Sequence, residues 1–492
     1  MMKTIQKQLT DDQKDFFDEF LEFLQSDELN VFILKGYAGT GKTFMIKEIV
    51  NYLEGKGRKY RLMAPTGRAA KVITEKTGRT AYTIHKSIYS FEKIDIKKGK
   101  KNEFKYSYKL RTNDDDDNAV YIVDEASMIS SKYSEGEFLN FGSGELLRDL
   151  FAYVHQDGFK RGRKILFAGD DAQLPPVNTT LSPALSQEIL EGFGFGTTEF
   201  FLEEIVRQKK ESSIIFEANN IRTMIETDDY TGLDLNYRTN EIKNIFHDEF
   251  LDEYLSSSDY RSGKESIVLT FSNNAALHYN RWIRNHFFPE EKTICAGDRV
   301  MVTTNNYSFP IELLNGDFGT VIEVSDEIEE PLQPVYVDNF FGKAPNKAAL
   351  KQVNLKFREC VIRFIDVRGV EHDLECKVLE TLLYSTQRDL TIDERKGLIV
   401  DFQNRNPKLK PGTKEFVEAL GMDDYSNALR LKFGYAITGH KSQGGEWDNV
   451  FLDIRRPAKA DNESYHRWLY TCFTRAKERL YIIKPQPMDY DF

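Results

Sequence analysis

Short apolar runs alternate with helical stretches in the first part of the chain. The runs occupy residues 31–34, 60–64, 119–123 and 164–168. Strand-like runs separated by helical segments predict a parallel, doubly wound sheet. A second set of runs, at 266–271, 449–454 and 479–484, has the same character and includes a predicted helix over 274–286. The pattern therefore predicts an α/β protein with two domains of this type.

The pattern changes between residues 298 and 380. Strand-like runs here follow one another across turns, at 298–303, 320–324, 352–366 and 371–380. Strands joined by turns rather than helices predict a small antiparallel barrel, inserted into the second domain. Residues 385–428 are charged and irregular, contain Pro407 and Pro411, and are expected to form an extension or arm.

A hairpin pattern interrupts the first domain at residues 90–118. Apolar and polar positions alternate on both sides of Gly99, which predicts two strands joined by a turn. This is the clearest basic and aromatic patch of the chain, with Lys93, Lys97, Lys98, Lys100, Lys101, Lys105, Lys109 and Arg111. Because charge runs usually mark a solvated surface, the pattern alone favours a hairpin with its charges outward.

Composition limits the classes of protein to which the chain can belong. A chain of 492 residues is too long for one compact core and suggests roughly two to four domains. Its 67 Lys and Arg residues against 78 Asp and Glu give a net charge of −11, so any nucleic-acid path must be local. The four cysteines form no C-x-x-C pair, which indicates neither a zinc knuckle nor a disulfide framework. No signal peptide or membrane-spanning run is visible, and we expect a cytoplasmic protein.

A glycine-rich segment lies between an apolar run and a segment with helical spacing. It reads Gly36, Tyr37, Ala38, Gly39, Thr40, Gly41, Lys42 and Thr43. Strand, glycine loop and helix in this order indicate a nucleotide-binding P-loop, whose backbone N–H groups and helix N-terminus surround phosphates. Lys42 would reach the terminal phosphates, and the Thr43 hydroxyl can ligate Mg²⁺. A chance glycine-rich turn would not explain the complete pattern in this context.

Two further strand ends carry polar residues. Asp124 and Glu125 follow the run at 119–123, at the edge where an open α/β sheet binds its ligand. Asp124 is predicted to hold Mg²⁺, and Glu125 to polarise the attacking water as general base. Gln173 follows the next strand, where its amide could sense the γ-phosphate. An ordinary proline-terminated loop would explain the prolines that follow but not the polar residues before them.

Nine ordered segments resemble the superfamily 1 DNA helicases, specifically the RecD-like and Dda-like branch (superfamily 1B) that moves 5′ to 3′. They are Gln13, 36–43, 64–70, 83–85, 124–127, 169–177, 202–208, 436–448 and 470–479. The resemblance implies two RecA-like doubly wound parallel-sheet domains, with an inserted β-hairpin pin and an inserted SH3-like β-barrel domain. The implied bounds are 1–89 with 119–204 for the first RecA-like domain, 90–118 for the pin, 205–297 with 429–492 for the second, and 298–428 for the barrel with its extension.

The resemblance also implies roles for residues outside the loop. Gln13 resembles the residue that reads the adenine edge, which would give a preference for ATP. Glu446 resembles the residue that contacts the ribose. Arg207 and Arg475 resemble two arginines that approach the γ-phosphate from opposite sides of the cleft, so that ATP would draw two domains together. A surface salt bridge is the common alternative for an arginine.

Single-stranded DNA is expected to cross the tops of both α/β domains. Pro65, Thr66, His85, Thr438 and His440 fall in segments that resemble those touching phosphates, sugars or stacked bases. Hydroxyls and backbone amides bind phosphate without reading sequence, so a largely sequence-independent motor is implied. His85 could instead be a buried structural histidine.

The resemblance gives the hairpin at 90–118 a role as the pin that splits the duplex. Its lysines would hold phosphates, while Phe104, Tyr106 or Tyr108 would face the last base pair. Which of the three aromatic residues does so stays open.

These expectations combine into one function. The chain is expected to be an ATP- and Mg²⁺-dependent 5′ to 3′ translocase on single-stranded DNA that unwinds duplex DNA in replication, recombination or repair. Its expected partners are single-stranded and forked DNA, with replication or recombination proteins as further partners, and a monomeric motor is expected. One alternative is a DNA-stimulated ATPase that displaces bound proteins with little strand separation. Another, a P-loop switch without motor activity, is disfavoured by two arginines from separate domains.

Overall fold

The computed structural model describes residues 9–98, 104–133, 139–156, 162–177, 179–206, 211–237, 239–257, 266–291, 293–331, 334–338, 350–411 and 413–484. The chain divides into two compact units. Unit 1 comprises Met1–Asp95, Lys105–His247 and Gly439–Phe492, and unit 2 comprises Ile96–Phe104 and Asp248–Thr438.

The described elements are as follows. The strands are β1 (Val31–Gly36), β2 (Tyr60–Ala64), β3 (Tyr82–Thr83), β4 (Tyr89–Lys98), β5 (Phe104–Leu110), β6 (Val120–Val123), β7 (Leu139–Phe141), β8 (Lys164–Gly169), β9 (Thr197–Leu202), β10 (Ile242–Phe246), β11 (Ser266–Thr270), β12 (Arg299–Val302), β13 (Phe318–Val324), β14 (Val335–Asp338), β15 (Leu350–Val353), β16 (Phe357–Ile365), β17 (Glu371–Leu379), β18 (Leu431–Phe433), β19 (Ala436–Thr438), β20 (Trp447–Asp453) and β21 (Ala476–Lys484). The helices are α1 (Asp11–Gln25), α2 (Lys42–Gly55), α3 (Gly67–Thr77), α4 (Ile84–Ile88), α5 (Leu146–Val154), α6 (Gln187–Gly192), α7 (Ser213–Thr227), α8 (Phe250–Ser257), α9 (Asn273–Phe287), α10 (Glu380–Leu383), α11 (Ile392–Arg405), α12 (Lys414–Gly421), α13 (Gly439–Ser442) and α14 (Asn462–Phe473).

A six-stranded parallel sheet forms the centre of unit 1. Its order is β3-β2-β6-β8-β1-β9, and each neighbouring pair runs parallel. The four strands predicted in the first part of the chain lie in this sheet as β1, β2, β6 and β8. The predicted α/β class with parallel sheets is therefore confirmed.

Helices cover both faces of this sheet. Along β1, Phe32 and Leu34 join a core that includes residues of α1, α2 and α3. Val31 and Ile33 join a second core with residues of α4, α5 and α6. All four side chains are fully buried. A strand buried on both faces reads as a continuous apolar run, which is why the sequence predicts these strands well.

Unit 1 also contains three parallel strands from later in the chain. They lie in the order β10-β21-β20, with both pairs parallel. Helices α7 and α14 pack against each other in the same unit. The predicted strands at 449–454 and 479–484 correspond to β20 and β21.

Unit 2 is dominated by antiparallel strands. Its five-stranded sheet has the order β17-β16-β13-β12-β18, and all neighbours in it are antiparallel. The turn-joined strands predicted between residues 298 and 380 are present, but the run at 352–366 is divided between β15 and β16. Strands β11 and β19 also belong to this unit and run parallel to each other.

The prediction that residues 385–428 are irregular is wrong, because the segment contains α11 and α12. Thr391 caps α11 in a capping box with Glu394, and Thr413 caps α12. Leu398 of α11 is buried in an apolar core with Val353 and other residues of unit 2. The Thr-x-x-Glu pattern at 391–394 was the available signal. The high charge of the segment obscured it.

The hairpin strands belong to a larger sheet than the sequence predicted. β4 and β5 lie side by side in the order β4-β5-β7. β5 runs parallel to β7, with Tyr108 opposite Phe141. Residues 99–103, where the sequence predicted the turn, lie outside the described residues. The third strand comes from a part of the chain, 131–163, for which the sequence predicted no element.

The described helices are too short to cross a membrane. The longest, α1, α7 and α9, have 15 residues each, whereas a span needs about 20 apolar residues. No helix among the described residues combines the necessary length and apolar character.

Candidate active site and nucleic-acid interface

Three neighbouring strands of the six-stranded sheet end at the candidate site. β6, β8 and β1 are adjacent, and the chain continues from them into Asp124, Asp170 and the loop at 37–41. Because the carboxyl ends of parallel strands share one edge of a sheet, these segments lie together.

The loop after β1 folds around its own lysine. Lys42 Nζ donates hydrogen bonds to the carbonyl oxygens of Gly36, at 2.7 Å, and Tyr37, at 3.0 Å. Gly39 and Gly41 have φ angles of 84° and 86°, a conformation in which other residues are strained. Burial lowers the pKa of Lys42, and the nearby Asp170 carboxylate acts in the opposite direction. The loop thus has the curvature that a phosphate cradle requires, with a cation inside it.

A hydroxyl and a carboxylate meet at the start of α2. Thr43 Oγ1 donates to Asp124 Oδ2 over 3.1 Å. Asp124 is 7% exposed. Burial raises the pKa of Asp124, while hydrogen bonds from the Glu125 amide and Thr43, and the charge of Lys42, oppose the rise. Oxygen ligands of this kind suit Mg²⁺, so the pair fits the metal predicted from the sequence.

Glu125 adopts an unusual backbone conformation. Its φ is 54° and its ψ is 35°, in the left-handed region, which costs a non-glycine residue on the order of 1 kcal/mol. Burial raises the pKa of the Glu125 carboxyl, and the charge of Arg475 is the largest influence that lowers it. Strain of this kind concentrates at active sites, where it fixes the direction of a side chain.

Gln13 is held against the phosphate loop. Its Nε2 donates to the carbonyl oxygen of Thr40 over 2.9 Å, and its Oε1 accepts from the Thr10 amide over 3.2 Å. The residue is 2% exposed. A Cβ at Gly41 would come within 2.8 Å of Gln13 Nε2, which gives a second reason for glycine there. The structure therefore brings Gln13 to the loop, while its role towards adenine stays a prediction.

Gln173 and its neighbours connect two distant parts of the sequence. Gln173 is 6% exposed, and its Oε1 has no hydrogen-bond partner among the described residues. The adjacent Leu174 is held at both backbone groups. Its N–H donates to Thr471 Oγ1 over 2.9 Å, and its carbonyl oxygen accepts from Gln443 Nε2 over 2.8 Å. Gln443 and Thr471 both lie in segments that resemble helicase motifs, but neither residue was predicted to have a role.

Arg475 is buried at the end of α14. Its guanidinium donates to the carbonyl oxygens of Thr471, at 3.0 Å, and Gly445, at 3.2 Å. A third bond, of 3.0 Å, goes to the hydroxyl of Thr474. Arg475 belongs to the same compact unit as the phosphate loop, and its charge acts on Glu125. Its partners rule out a surface salt bridge as its place in the fold.

The sequence predicted two other nucleotide contacts, Arg207 and Glu446. Arg207 lies outside the described residues. Glu446 pairs with Lys76 of α3, with 2.7 Å between Oε1 and Nζ. The ribose contact predicted for Glu446 would have to replace or share this ion pair.

Sequence reasoning assigned no role to a buried polar chain beside the loop. Tyr470 Oη accepts from the Ala38 amide over 3.1 Å and donates to Asp170 Oδ2 over 2.6 Å. Arg222 Nη1 bonds to the other oxygen of Asp170. A signal for Arg222 existed, because it follows Ile214 and Ala218 at helical spacing on the buried side of α7. A lone arginine on an apolar face requires a buried partner.

The residues predicted to contact DNA occupy several elements. Thr66 caps α3 by accepting from the Ala69 amide over 3.2 Å. Pro65 precedes it, and both are half-buried. Thr438 ends β19 and is 7% exposed, while His440 is half-buried. None of these positions tests a DNA contact, which stays a prediction for each.

His85 packs among aromatic rings. Its ring lies 5.0 Å from Phe141 and 5.6 Å from Tyr89, centroid to centroid. Burial lowers the pKa of His85 to about 4, although Asp149 acts in the opposite direction. The imidazole is therefore neutral at pH 7. The structural alternative considered for His85 and a stacking role are both compatible with this position.

Tyr108 anchors the base of the hairpin. Its ring lies 5.2 Å from Phe141 of β7. Arg111 also holds the base, because its Nε donates to the Tyr89 carbonyl oxygen over 2.7 Å. The side chains of Phe104 and Tyr106 lie outside the described residues.

Comparison with known proteins finds helicases that are similar to this chain over most of its length. Residues 8–230 match the family described as AAA domain, and residues 433–483 match the UvrD-like helicase C-terminal domain. The ATP-dependent DNA helicase Pif1 of Psychrobacter sp. is 33% identical over 453 residues, which cover 87% of this chain and 62% of that protein. The RecBCD enzyme subunit RecD of Buchnera aphidicola is 23% identical over 495 residues, which cover 92% of this chain and 70% of that protein. Over most of its length the chain is therefore similar to RecD and Pif1 helicases.

The crystal structure of a Pif1 helicase from Bacteroides in complex with ADP-AlF3 and ssDNA has a TM-score of 0.46 at 17% identity, and the match covers 97% of this chain and 95% of that one. The chain spans 36% of the length of one curated relative and 21% of another. The substrates and partners of the whole protein are therefore matters for proposal.

Proposed function

We propose that this protein is an ATP- and Mg²⁺-dependent DNA helicase that moves 5′ to 3′ on single-stranded DNA and unwinds duplex DNA. The observation that carries the proposal is the convergence of Lys42, Thr43, Asp124 and Glu125 with Arg475 in one compact unit. These side chains supply a cation for phosphates, ligands for a metal, a base for water and an arginine for developing charge.

Each of the five residues has a chemical task in the proposal. Lys42 binds the terminal phosphates. Thr43 and Asp124 hold Mg²⁺, which when bound neutralises negative charge on the phosphate oxygens. Glu125 accepts a proton from the attacking water, and its raised pKa makes it a better base once ionised. Arg475 donates to the charge that develops in the transition state.

Further residues complete the proposed nucleotide site. Gln13 reads the adenine edge, supported by its position against the loop. Gln173 senses the γ-phosphate, supported by its buried oxygen without a partner among the described residues. Arg207 is proposed as a second arginine for the γ-phosphate, and Glu446 as the contact to the ribose.

Five residues are proposed to contact single-stranded DNA: Pro65, Thr66, His85, Thr438 and His440. A neutral His85 would stack on a base or accept a hydrogen bond, and would not bind phosphate by charge. Binding would be largely sequence-independent, because hydroxyls and backbone amides recognise phosphates.

The proposal includes an architecture for strand separation. Residues 1–89 with 119–204 and residues 205–297 with 429–492 would form two RecA-like domains, and 90–118 the pin between strand and duplex. Residues 298–428 would form an SH3-like accessory domain with its extension, supported by the antiparallel sheet in this segment. The motor is proposed to act as a monomer on forked DNA during replication or recombination.

Tailed duplexes test the proposal directly. The purified full chain is mixed with fluorescently labelled duplexes that carry only a 5′ tail or only a 3′ tail, with ATP and Mg²⁺. Strand release from the 5′-tailed duplex alone is expected. Preferential release from the 3′-tailed duplex would overturn the direction. DNA-stimulated ATP hydrolysis without strand release would favour the alternative of a protein-displacing ATPase.

A further inference from the structure

A buried polar chain connects the phosphate loop to two helices that come later in the sequence. It runs from the Ala38 amide to Tyr470 Oη, at 3.1 Å, and from Tyr470 to Asp170 Oδ2, at 2.6 Å. Arg222 Nη1 completes the chain on the other oxygen of Asp170. Tyr470, Asp170 and Arg222 are 0%, 1% and 2% exposed. A loop amide is thereby tied to α14 and α7.

Arg222 ends this series of hydrogen bonds, and each of its three guanidinium nitrogens donates to a carboxylate. Besides Asp170, it donates from Nη2 to Asp171 Oδ1 over 2.6 Å and from Nε to Glu226 Oε1 over 2.7 Å. Its Cζ also lies 4.6 Å from the centroid of the Tyr37 ring, in the phosphate loop. Buried ion pairs contribute little net stability because desolvation offsets their attraction. The value of this cluster therefore lies in the geometry that it fixes.

The place where α14 ends determines where Arg475 points. The three hydrogen bonds of the Arg475 guanidinium go to Thr471, Thr474 and Gly445. Thr471 lies in the last turn of α14, and Thr474 is its C-cap. Tyr470 precedes Thr471 directly, so its bond to the Ala38 amide sets the position of this last turn against the loop.

We infer that Tyr470 is a positioning residue that places Arg475 relative to the phosphate loop, with Asp170 and Arg222 holding its hydroxyl in direction. The inference rests on the proposed function, since it concerns the arginine of that site. Tyr470 acts through Arg475 and takes no part in a chemical step. Arginine geometry matters because a displacement of about 1 Å in an active site can lower the rate on the order of 10²-fold.

A double-mutant cycle tests the inference. Tyr470→Phe keeps the ring and removes the hydroxyl. In the full chain with saturating single-stranded DNA, it is expected to lower kcat for ATP between about 10-fold and 100-fold, with KM changed by less than about threefold. In an Arg475→Ala background the same substitution should have almost no further effect, because residues that act as a unit are not additive. If the role of Tyr470 were purely structural, Tyr470→Phe would instead lower kcat by the same factor in the wild-type and Arg475→Ala backgrounds.

The same helix offers a matched control. Tyr465 is also buried, and its hydroxyl donates to the Ile454 carbonyl oxygen over 2.7 Å. Tyr465→Phe therefore removes a comparable hydrogen bond away from the loop and should keep kcat within about twofold. If Tyr470→Phe fails to fold, Arg222→Lys takes its place in the cycle. Lysine keeps the charge, but it cannot donate to three carboxylates with the same fixed geometry.

The possible outcomes separate this inference from the proposed function. A wild-type chain without DNA-stimulated ATPase activity would overturn both. If the wild type is active and Arg475→Ala is impaired, an unchanged kcat in Tyr470→Phe overturns the positioning role alone. Equal fold-losses from Tyr470→Phe in both backgrounds would do the same.

Discussion

The Thr43 hydroxyl lies 3.1 Å from Oδ2 of Asp124, although 81 residues separate the two in sequence. The contact exists because β1 and β6 are both neighbours of β8 in one parallel sheet. Residues that follow two such strands reach the same edge, where the loop after β1 also begins α2. The proposed catalysis depends on this juxtaposition.

Lys42→Ala is expected to lower ATP turnover by on the order of 10²-fold or more, since a half-buried cation that binds developing phosphate charge is lost. Binding of single-stranded DNA should persist, because the substitution removes a phosphate-loop contact only. Steady-state ATPase assays and fluorescence anisotropy with labelled DNA measure the two effects. Lys47→Ala, on the same helix, is the control and should retain turnover. Equal turnover in Lys42→Ala and wild type would exclude this loop as the nucleotide site.

Glu125→Gln is expected to retain ATP binding but to lower hydrolysis by about 10²- to 10⁴-fold, the usual contribution of a general base. Glutamine preserves the size of the side chain and cannot accept the proton. Binding of a fluorescent ATP analogue, followed by single-turnover hydrolysis, separates the two steps. Undiminished single-turnover rates would remove Glu125 from the role of base.

The pH dependence of turnover should report the environment of Glu125. A base works only when ionised, and burial raises the pKa of Glu125 above the ordinary value of 4.5. Activity should therefore be lost, as pH falls, at a higher pH than an ordinary glutamate would give. Because Arg475 lowers this pKa, Arg475→Gln should move the acid limb of the residual activity to still higher pH. Arg475→Lys keeps the charge, so its activity should be lost at the same acidic pH as that of the wild type. If the acid side of the pH profile moves in neither variant, the charge of Arg475 does not act on Glu125.

His85 should make the folded state sensitive to mild acid. Its folded pKa of about 4 lies below the ordinary value of 6.5. Between these two pH values the unfolded chain therefore binds more protons than the folded chain. The free energy of unfolding consequently falls as the pH drops from 6.5 towards 4. Chemical unfolding at several pH values should show a smaller decline for His85→Gln than for wild type. Burial also lowers the pKa of His155 to about 4, so His155 contributes to the same decline in stability. His155→Gln should remove the part of the decline that is due to His155. An identical decline in wild type and His85→Gln would place His85 in solvent.

The hairpin tip should be necessary for unwinding and dispensable for hydrolysis. Replacement of residues 96–105 by a two-residue Asn-Gly turn, which favours hairpins, removes the tip. It keeps Tyr108 and Arg111, which hold the base through Phe141 and Tyr89. Strand release from a 5′-tailed duplex should disappear, while DNA-stimulated ATPase should stay within about threefold. Preserved unwinding would show that strand separation occurs elsewhere.

The sequence anticipated most of the parallel core and much of the candidate nucleotide site. Strands such as β1 and β6 are buried on both faces, so each leaves a continuous apolar run that needs no partner to be recognised. The loop at 36–43 could also be recognised from the sequence, because a phosphate-binding loop requires glycines and a lysine at fixed spacing. Helices α11 and α12 were missed, because their charged exposed sides outweighed the few apolar residues that they bury.

The sequence by itself determined which chemical groups the protein offers: the loop with Lys42, the carboxylates that follow β6, and an arginine near the end of the chain. These follow from local order, since strand, loop and helix are set by neighbouring residues. Only the tertiary structure decided that β5 pairs with β7, that Glu446 meets Lys76, and that Tyr470 bonds to the Ala38 amide. Such contacts join residues far apart in the chain. They arise from the packing of buried polar groups that must find partners, and no local pattern names the partner in advance.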